Sequence, residues 1–161
     1  MAAKEILLLG NEKLYNKSEV IKEEELKDIK YIVEDLHDTM MNFREKYNCG
    51  RAIAAPQIGV FKRLIYMNVD KPYIFINPTL QFIGDETMVV IDDCMSFPGL
   101  LVKVNRYKKC NIHYKDMEWK DCVLELEDDL SELIQHEYDH LDGILAVMRA
   151  IDNKSFSVKN S

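Results

Sequence analysis

The feature that most constrains the fold is one apolar stripe along residues 23–47. Its apolar side chains recur at alternating steps of three and four residues, at Leu26, Ile29, Val33, Leu36, Met40, Phe43 and Tyr47. This spacing places them on one face of an α-helix of about seven turns. A short coiled-coil seam has the same spacing, but Ile32 and Met41 widen the stripe, so we favour a helix packed on its own domain. Asn48-Cys49-Gly50 is expected to end the helix.

The middle of the chain consists of short segments rich in β-branched and aromatic residues, separated by Pro, Gly, Asn and Asp. The predicted strands are Arg63–Asn68, Tyr73–Asn77, Thr79–Ile83, Met88–Ile91, Leu101–Arg106, Lys109–Tyr114 and Trp119–Leu126. A second helix is predicted from Asp129 to Asp142. The order favours an α+β fold, in which antiparallel sheets of short strands pack around the second helix. No linker interrupts the sequence, so residues 1–161 are expected to form one domain.

The composition excludes several classes of protein. With 47% hydrophobic and 30% charged residues, the chain is globular rather than disordered. A net charge of −7 argues against general affinity for nucleic acids or anionic membranes, and no apolar run reaches the ~18 residues of a membrane span. The N-terminus lacks the basic segment of a signal peptide, so we expect a cytoplasmic protein. The cysteines form no C-x-x-C pair, which argues against a disulfide framework.

The second predicted helix contains the sequence His136-Glu137-Tyr138-Asp139-His140. Two histidines four residues apart lie on one helix face, so both imidazoles can bind one metal ion. Glu137, next to the first histidine, is suited to hold and deprotonate a water that the metal activates. We therefore interpret this helix as part of a hydrolytic metal site rather than as a polar surface with two exposed histidines.

A catalytic site of this kind needs a third protein ligand. One protease pattern has a further histidine at a position that is Ala146 here, and another needs a later glutamate, which residues 151–161 lack. These gaps disfavour a conventional zinc endopeptidase. The most conspicuous upstream donor is Cys94, between a predicted strand and the Pro98-Gly99 turn. A Cys/His/His set is softer than three histidines and more tolerant of Fe(II).

Three stretches together resemble the peptide deformylases, metal hydrolases that remove formyl from the initiator methionine of nascent chains. The first family motif, G-x-G-L-A-A-x-Q, corresponds to Gly50-Arg51-Ala52-Ile53-Ala54-Ala55-Pro56-Gln57. The second, E-G-C-L-S, corresponds to Asp92-Asp93-Cys94-Met95-Ser96. The third, Q-H-E-x-D-H, is matched in full by residues 135–140. Order and separation also agree, so the resemblance covers nearly the whole chain.

The resemblance implies a role for each matched residue. The metal ligands would be Cys94, His136 and His140. Glu137 would be the general acid/base. Gln57 and the backbone N–H of Met95 would donate hydrogen bonds to the oxyanion of the tetrahedral intermediate. Asp139 and Gln135 would orient the metal ligands. Arg106 would pair with Asp92.

The resemblance also implies a cofactor and a setting. The protein would bind one divalent metal ion per chain, Fe(II) by preference, with Zn, Ni or Co as alternatives. Its substrate would be the formyl-Met end of nascent peptides near the ribosome exit, and it would act as a monomer without membrane or direct nucleic-acid partners. Two alternatives stay open: a deformylase-like amidase for a different formamide, and a non-catalytic metal-binding relative.

The sequence departs from the family pattern around the site. Ala52 replaces the second Gly of the first motif, which is harmless only if its φ is negative. Asp92-Asp93 replace Glu-Gly, and Glu132 stands one helical turn before His136, where the family has an apolar residue beside the methionine pocket. We predict that Asp93 and Glu132 make the mouth of the site more acidic than is usual in the family, so that short or basic formyl-Met peptides are preferred over acidic ones. Alternatively, both acids point to solvent.

Overall fold

The structure, a computed structural model, describes residues 3–159. Its first long helix, α1, spans Leu26–Tyr47, and one 3-10 turn at Glu23–Glu25 leads into it. At the other end, Asn48 adopts a left-handed conformation with φ 57° and its N–H donates to the carbonyl of Arg44. This is a common way to satisfy a carbonyl in the last turn of a helix. The helix predicted over residues 23–47 is confirmed.

Within the described residues, eight short strands and a second helix follow α1. In chain order the strands are β1 (Ala52–Ala54), β2 (Leu64–Asn68), β3 (Pro72–Phe82), β4 (Thr87–Asp92), β5 (Leu100–Tyr107), β6 (Lys109–Lys115), β7 (Asp121–Glu127) and β8 (Phe156–Val158). The helix α2 spans Asp129–Leu141 and precedes β8. One sheet has the strand order β1-β2-β3-β6-β7 and the other β4-β5-β8, and every pairing between these strands is antiparallel. The predicted α+β fold is confirmed.

Two details of the strand prediction differ from the structure. Tyr73–Asn77 and Thr79–Ile83 are parts of one strand, β3, whose register shifts between Ile76 and Thr79. At this register shift Asn77 has φ 51° and Pro78 follows. Trp119 belongs to the turn before β7, with φ 63°, rather than to the strand.

The five-stranded sheet lies between the two long helices. Side chains alternate across a strand, so Ile53 of β1 faces one side while Ala52 and Ala54 face the other. The Ile53 side packs with α1 through residues such as Leu36 and Met40. The opposite side packs with α2, and the shared core contains Ala52, Ala54, Ile65, Phe75, Leu133, Ile134 and Leu141. α2 is therefore held against the sheet and contacts β1 and β5.

The second helix ends at Leu141, one residue before its predicted end at Asp142. Gly143 follows it with φ 75°, and a Cβ at this position would collide with the backbone of Tyr15. The four cysteines are free thiols, as expected from their spacing. Among residues 3–159, neither α2 nor any other helix combines the length and apolar character that crossing a bilayer demands.

Candidate metal centre

The three predicted metal ligands meet at one point of the fold. His136 and His140 lie on the same face of α2, with ring centroids 5.1 Å apart. Cys94 lies in the turn after β4, and its Sγ is 3.4 Å from Nε2 of His140. One ligand atom from each residue lies within 4.8 Å of the other two, and all three side chains are buried. Strand β4 and helix α2 therefore bring together donors 46 residues apart in sequence.

This donor set fits a single metal ion. Ligand atoms that bind one zinc-sized ion at 2.0–2.3 Å in a tetrahedral site stand about 3.3–3.7 Å apart, close to the spacing between Cys94 and His140. The electrostatics agree with a cation at this point. Burial lowers the pKa of His136, but the Cys94 sulfur and Asp92 together raise that pKa well above its ordinary value. Burial and the neighbouring His136 lower the pKa of His140 well below its ordinary value, which favours the neutral imidazole that binds metals.

A buried ion-pair network supports the first histidine. Asp92 Oδ2 lies 3.1 Å from His136 Nδ1 and accepts a hydrogen bond of 2.6 Å from Arg106. Because Nδ1 of His136 is paired with Asp92, Nε2 is the ring nitrogen that is available to bind a metal. Burial opposes the charge on Asp92, yet His136 and Arg106 hold its pKa far below the usual range. The predicted pairing of Arg106 with Asp92 is confirmed.

Within residues 3–159, the hydrogen bonds of Asp139 and Gln135 go to groups other than the candidate metal ligands. Asp139 accepts hydrogen bonds from Arg106 at 3.0 Å and from Arg149, so it reaches the histidines only through Arg106. Gln135 bonds the backbone of Tyr107 and the hydroxyl of Ser131, and thereby ties α2 to the end of β5. The prediction that Gln135 orients a metal ligand is wrong, because its amide points toward β5.

Glu137 is buried beside the candidate ligands. Only 4% of the residue is exposed, and its Oε1 has no hydrogen-bond partner within residues 3–159. Burial is the main reason that its pKa rises to about 7, with His136 acting in the opposite direction. A carboxyl group with this pKa can both accept and release a proton near neutral pH.

Gln57 approaches the site from the short helical turn after β1. Its Nε2 lies 3.6 Å from Cys94 Sγ and donates a hydrogen bond of 3.1 Å to the hydroxyl of Ser96. Its Oε1 accepts the N–H of Ala54 at 3.0 Å, which fixes the orientation of the amide. Ser96 also donates its backbone N–H to Cys94 Sγ at 3.4 Å. Sequence reasoning gave Ser96 no role, although it is the last residue of the second motif.

A cavity of about 990 Å³ opens onto this centre. Among the residues in its wall are Cys94, Met95, His136 and Glu137, while Gln57 lies behind Cys94. Ala52 is also in the wall and is not among the residues with positive φ, so the change from glycine causes no backbone strain.

The cavity wall carries four cationic side chains and three carboxyl groups, so its charge does not support the predicted preference for basic peptides. The cations are Arg44, Lys46, Arg51 and Lys159. Burial, and next the neighbouring Asp92, raise the pKa of Glu132 to about 8, so that it is largely neutral at pH 7. Asp93 is exposed, as the alternative prediction had it, whereas Glu132 is half-buried.

The profile of the family described as polypeptide deformylase matches residues 3–156 of the chain. The chain belongs to this family. It is 36% identical to peptide deformylase 1 of Prochlorococcus marinus over 97% of its own length and 85% of that protein. It is 31% identical to the peptide deformylase of Pseudothermotoga lettingae over 97% of its length and 88% of the relative.

Solved deformylase structures share the fold. The peptide deformylase of Thermotoga maritima superposes with a TM-score of 0.86 and 28% identity, over 94% of this chain and all of the other. The Synechococcus elongatus peptide deformylase, crystallised with actinonin, gives a TM-score of 0.87 and 25% identity, over 96% of this chain and 82% of the other. The sequence resemblance to the deformylases is therefore confirmed, and with it a metal-dependent enzyme.

Proposed function

We propose that this deformylase removes the formyl group from the initiator methionine of nascent polypeptides and releases formate. The observation that carries the proposal is the buried cluster of Cys94, His136 and His140 with Glu137 beside it, at the wall of one large cavity. A purely structural metal site would need neither the buried carboxyl group nor the cavity. The family membership supports the same activity.

Cys94, His136 and His140 would bind the metal, and Fe(II) is the ion we propose for them. One thiolate with two imidazoles is a soft set that suits Fe(II) and also accepts zinc, nickel or cobalt. When bound, the metal polarises the formyl oxygen and lowers the pKa of the attacking water.

The side chains of the protein would move the protons. Glu137 accepts one from the water as the water oxygen attacks the formyl carbon. The formyl oxygen gains negative charge, and Nε2 of Gln57 and the backbone N–H of Met95 donate hydrogen bonds to it. The C–N bond then breaks, Glu137 passes its proton to the departing amine, and the formic acid that forms loses its proton to become formate. The raised pKa of Glu137, about 7, supports both halves of this role.

The proposed setting follows from this activity. Nascent peptides carry the formyl group as they leave the ribosome, so we propose that the protein works in the cytoplasm near the ribosome exit. We further propose that residues 1–161 form one catalytic domain that acts as a monomer, since all the proposed catalytic and ligand residues lie in one chain.

The test is formate release from formyl-Met-Ala-Ser by protein purified without oxygen and loaded with Fe(II) or Ni(II). We expect turnover in the natural protein and its loss in Glu137→Ala, with metal still bound at one ion per chain. Glu125→Ala on the exposed face of β7 is the matched control and should keep full activity. Absence of turnover in protein that holds one metal ion per chain would contradict the proposal.

A further inference from the structure

The cavity wall is more cationic than the rest of the protein. The whole chain has 28 acidic and 21 basic residues, whereas the wall has three acidic and four basic ones. The basic residues come from three separate places in the fold: the last turn of α1, the position before β1 and the position after β8. The sign of the local charge is thus opposite to that of the molecule as a whole.

Two of these cations are free to meet a ligand. Lys46 and Lys159 are exposed, and neither forms an ion pair with a carboxylate of residues 3–159. The ammonium of Lys46 lies 5.3 Å from the ring centroid of Tyr47, another wall residue. Lys159 is brought to the wall by its backbone N–H, which donates to Gly99 at 2.7 Å directly after β8.

The other two cations, Arg44 and Arg51, differ in how freely they can bind a ligand in the cavity. Arg44 donates to the carbonyls of Gly50 and Asn68, so it is committed to the backbone. Arg51 pairs with Asp129 at 3.3 Å, and the two side chains are 41% and 74% exposed. Exposed ion pairs are weak and can exchange partners. Arg51 can therefore turn to a carboxylate that enters the cavity.

Few carboxylates counter these cations. Glu137 is buried against His136, and Glu132 is half-buried within hydrogen-bonding reach of Asp92. Asp93 is the one acid of the wall within residues 3–159 that is exposed. Lys46, Arg51 and Lys159 thus outnumber the solvent-facing acids of the wall.

We propose that Lys46, Arg51 and Lys159 select formyl peptides that carry carboxylates shortly after the formylated residue. This inference rests on the proposed function and names a substrate class for the same site. A formylated amine carries no charge, so the charge of such a peptide is set by its later side chains. A cleft lined by one sign of charge raises the local concentration of the opposite sign. Acidic peptides therefore bind better than basic ones.

The experiment compares three amidated peptides, formyl-Met-Ala-Glu, formyl-Met-Ala-Gln and formyl-Met-Ala-Lys. At low ionic strength we expect kcat/KM for the Glu peptide to exceed that for the Lys peptide about tenfold, through KM rather than kcat. At about 0.5 M salt the ratio should approach one, because exposed charges are screened. The double variant Lys46→Gln/Lys159→Gln should reduce the low-salt ratio to about threefold.

The control is Lys109→Gln/Lys120→Gln, which removes two exposed lysines from β6 and the turn before β7 and should keep the tenfold ratio. Binding of the same peptides to metal-loaded Glu137→Ala, measured by calorimetry, tests the preference independently of turnover. Equal affinity for the Glu and Lys peptides, or a ratio that the double variant leaves unchanged, overturns the inference. Peptide binding with the expected preference but no formate release from any peptide would instead overturn the proposed function.

Discussion

The amide of Gln57 donates a hydrogen bond of 3.1 Å to the hydroxyl of Ser96, and the two residues are 1% and 0% exposed. The bond occupies one amide hydrogen and leaves the other near Cys94 Sγ, 3.6 Å from Nε2. Ser96→Ala should therefore loosen the donor that faces the reacting oxygen. Removing an oxyanion donor outright costs 10²–10³ in kcat, and we expect about a tenfold loss here with KM unchanged.

A double-variant cycle separates this positioning role from a structural one. If Ser96 acts through Gln57, Ser96→Ala should have little further effect on kcat in a Gln57→Ala background. Ser131→Ala is a matched control, because Ser131 is equally buried and accepts a hydrogen bond from the amide of Gln135. The Ser131→Ala variant should lower the free energy of unfolding and leave kcat unchanged. Additive losses in the cycle would contradict a role through Gln57.

Arg106 should be essential to the stability of the centre. It is 3% exposed and bonds Asp92 at 2.6 Å and Asp139 at 3.0 Å. Arg106→Met would leave the buried carboxylate of Asp92 without its arginine and Asp139 with Arg149 alone. Breaking a buried pair in this way costs about 3–5 kcal/mol. We expect a loss of this size in the free energy of unfolding by urea, together with weaker metal binding.

The comparison variant for this prediction is Lys115→Met. Lys115 pairs with Asp121 at 2.7 Å, but Asp121 is 88% exposed, and such pairs contribute about 0–1 kcal/mol. Its urea midpoint should hardly move. A similar small change in Arg106→Met would show that the buried network contributes no more than a surface pair.

Glu137 should make the metal-free protein less stable as the pH rises. Its pKa is about 7 in the folded state against a model-peptide value of 4.5, so the folded state binds the proton more tightly. The protonated form stabilises folding below pH 4.5, and this contribution is lost as the pH rises to 7, at about 1.4 kcal/mol per pKa unit. Metal-free Glu137→Gln should therefore be more stable than the natural protein at pH 8 and similar at pH 4.5.

The measurement is urea unfolding of both proteins in the presence of a chelator across this range of pH. The carbon-13 NMR shift of the Glu137 carboxyl group gives its midpoint directly, and added metal should lower that midpoint because positive charge favours the carboxylate. A midpoint near 4.5 in metal-free protein would contradict the effect of burial.

The parts of the fold that a strong local pattern encodes could be predicted from the sequence. The two long helices were predicted from the apolar stripe between Leu26 and Tyr47 and from the spacing of His136 and His140. The same spacing predicted two of the metal ligands. β1 and β8 escaped prediction because three residues are too few for an alternating pattern to emerge. The role of Ser96 could not be predicted because it depends on a contact with Gln57, which is 39 positions away in the sequence.

The charge at the mouth of the cavity also depends on contacts between residues that are distant in the sequence. Asp93 and Glu132 are close to the ligands in sequence, so they dominated the prediction of an acidic mouth. Lys46 and Lys159 are 113 residues apart and reach the cavity only through the ends of α1 and β8. The burial that neutralises Glu132 is likewise a property of the packed fold.

Removal of the metal should destabilise the protein, and this loss of stability should depend on Cys94 as a metal ligand. A ligand at 1,000 times its dissociation constant stabilises the folded state by about 4 kcal/mol, which corresponds to roughly 10 °C in Tm for a chain of this length. We therefore expect dialysis against a chelator to lower Tm by about this amount. Cys94→Ser should lose most of the metal-dependent shift, because a serine hydroxyl does not ionise at neutral pH and is a poor ligand for a soft site. Cys122→Ser, in β7 and outside the cluster, should keep the full shift. An equal response in both variants would mean that the metal stabilises the fold at a different site.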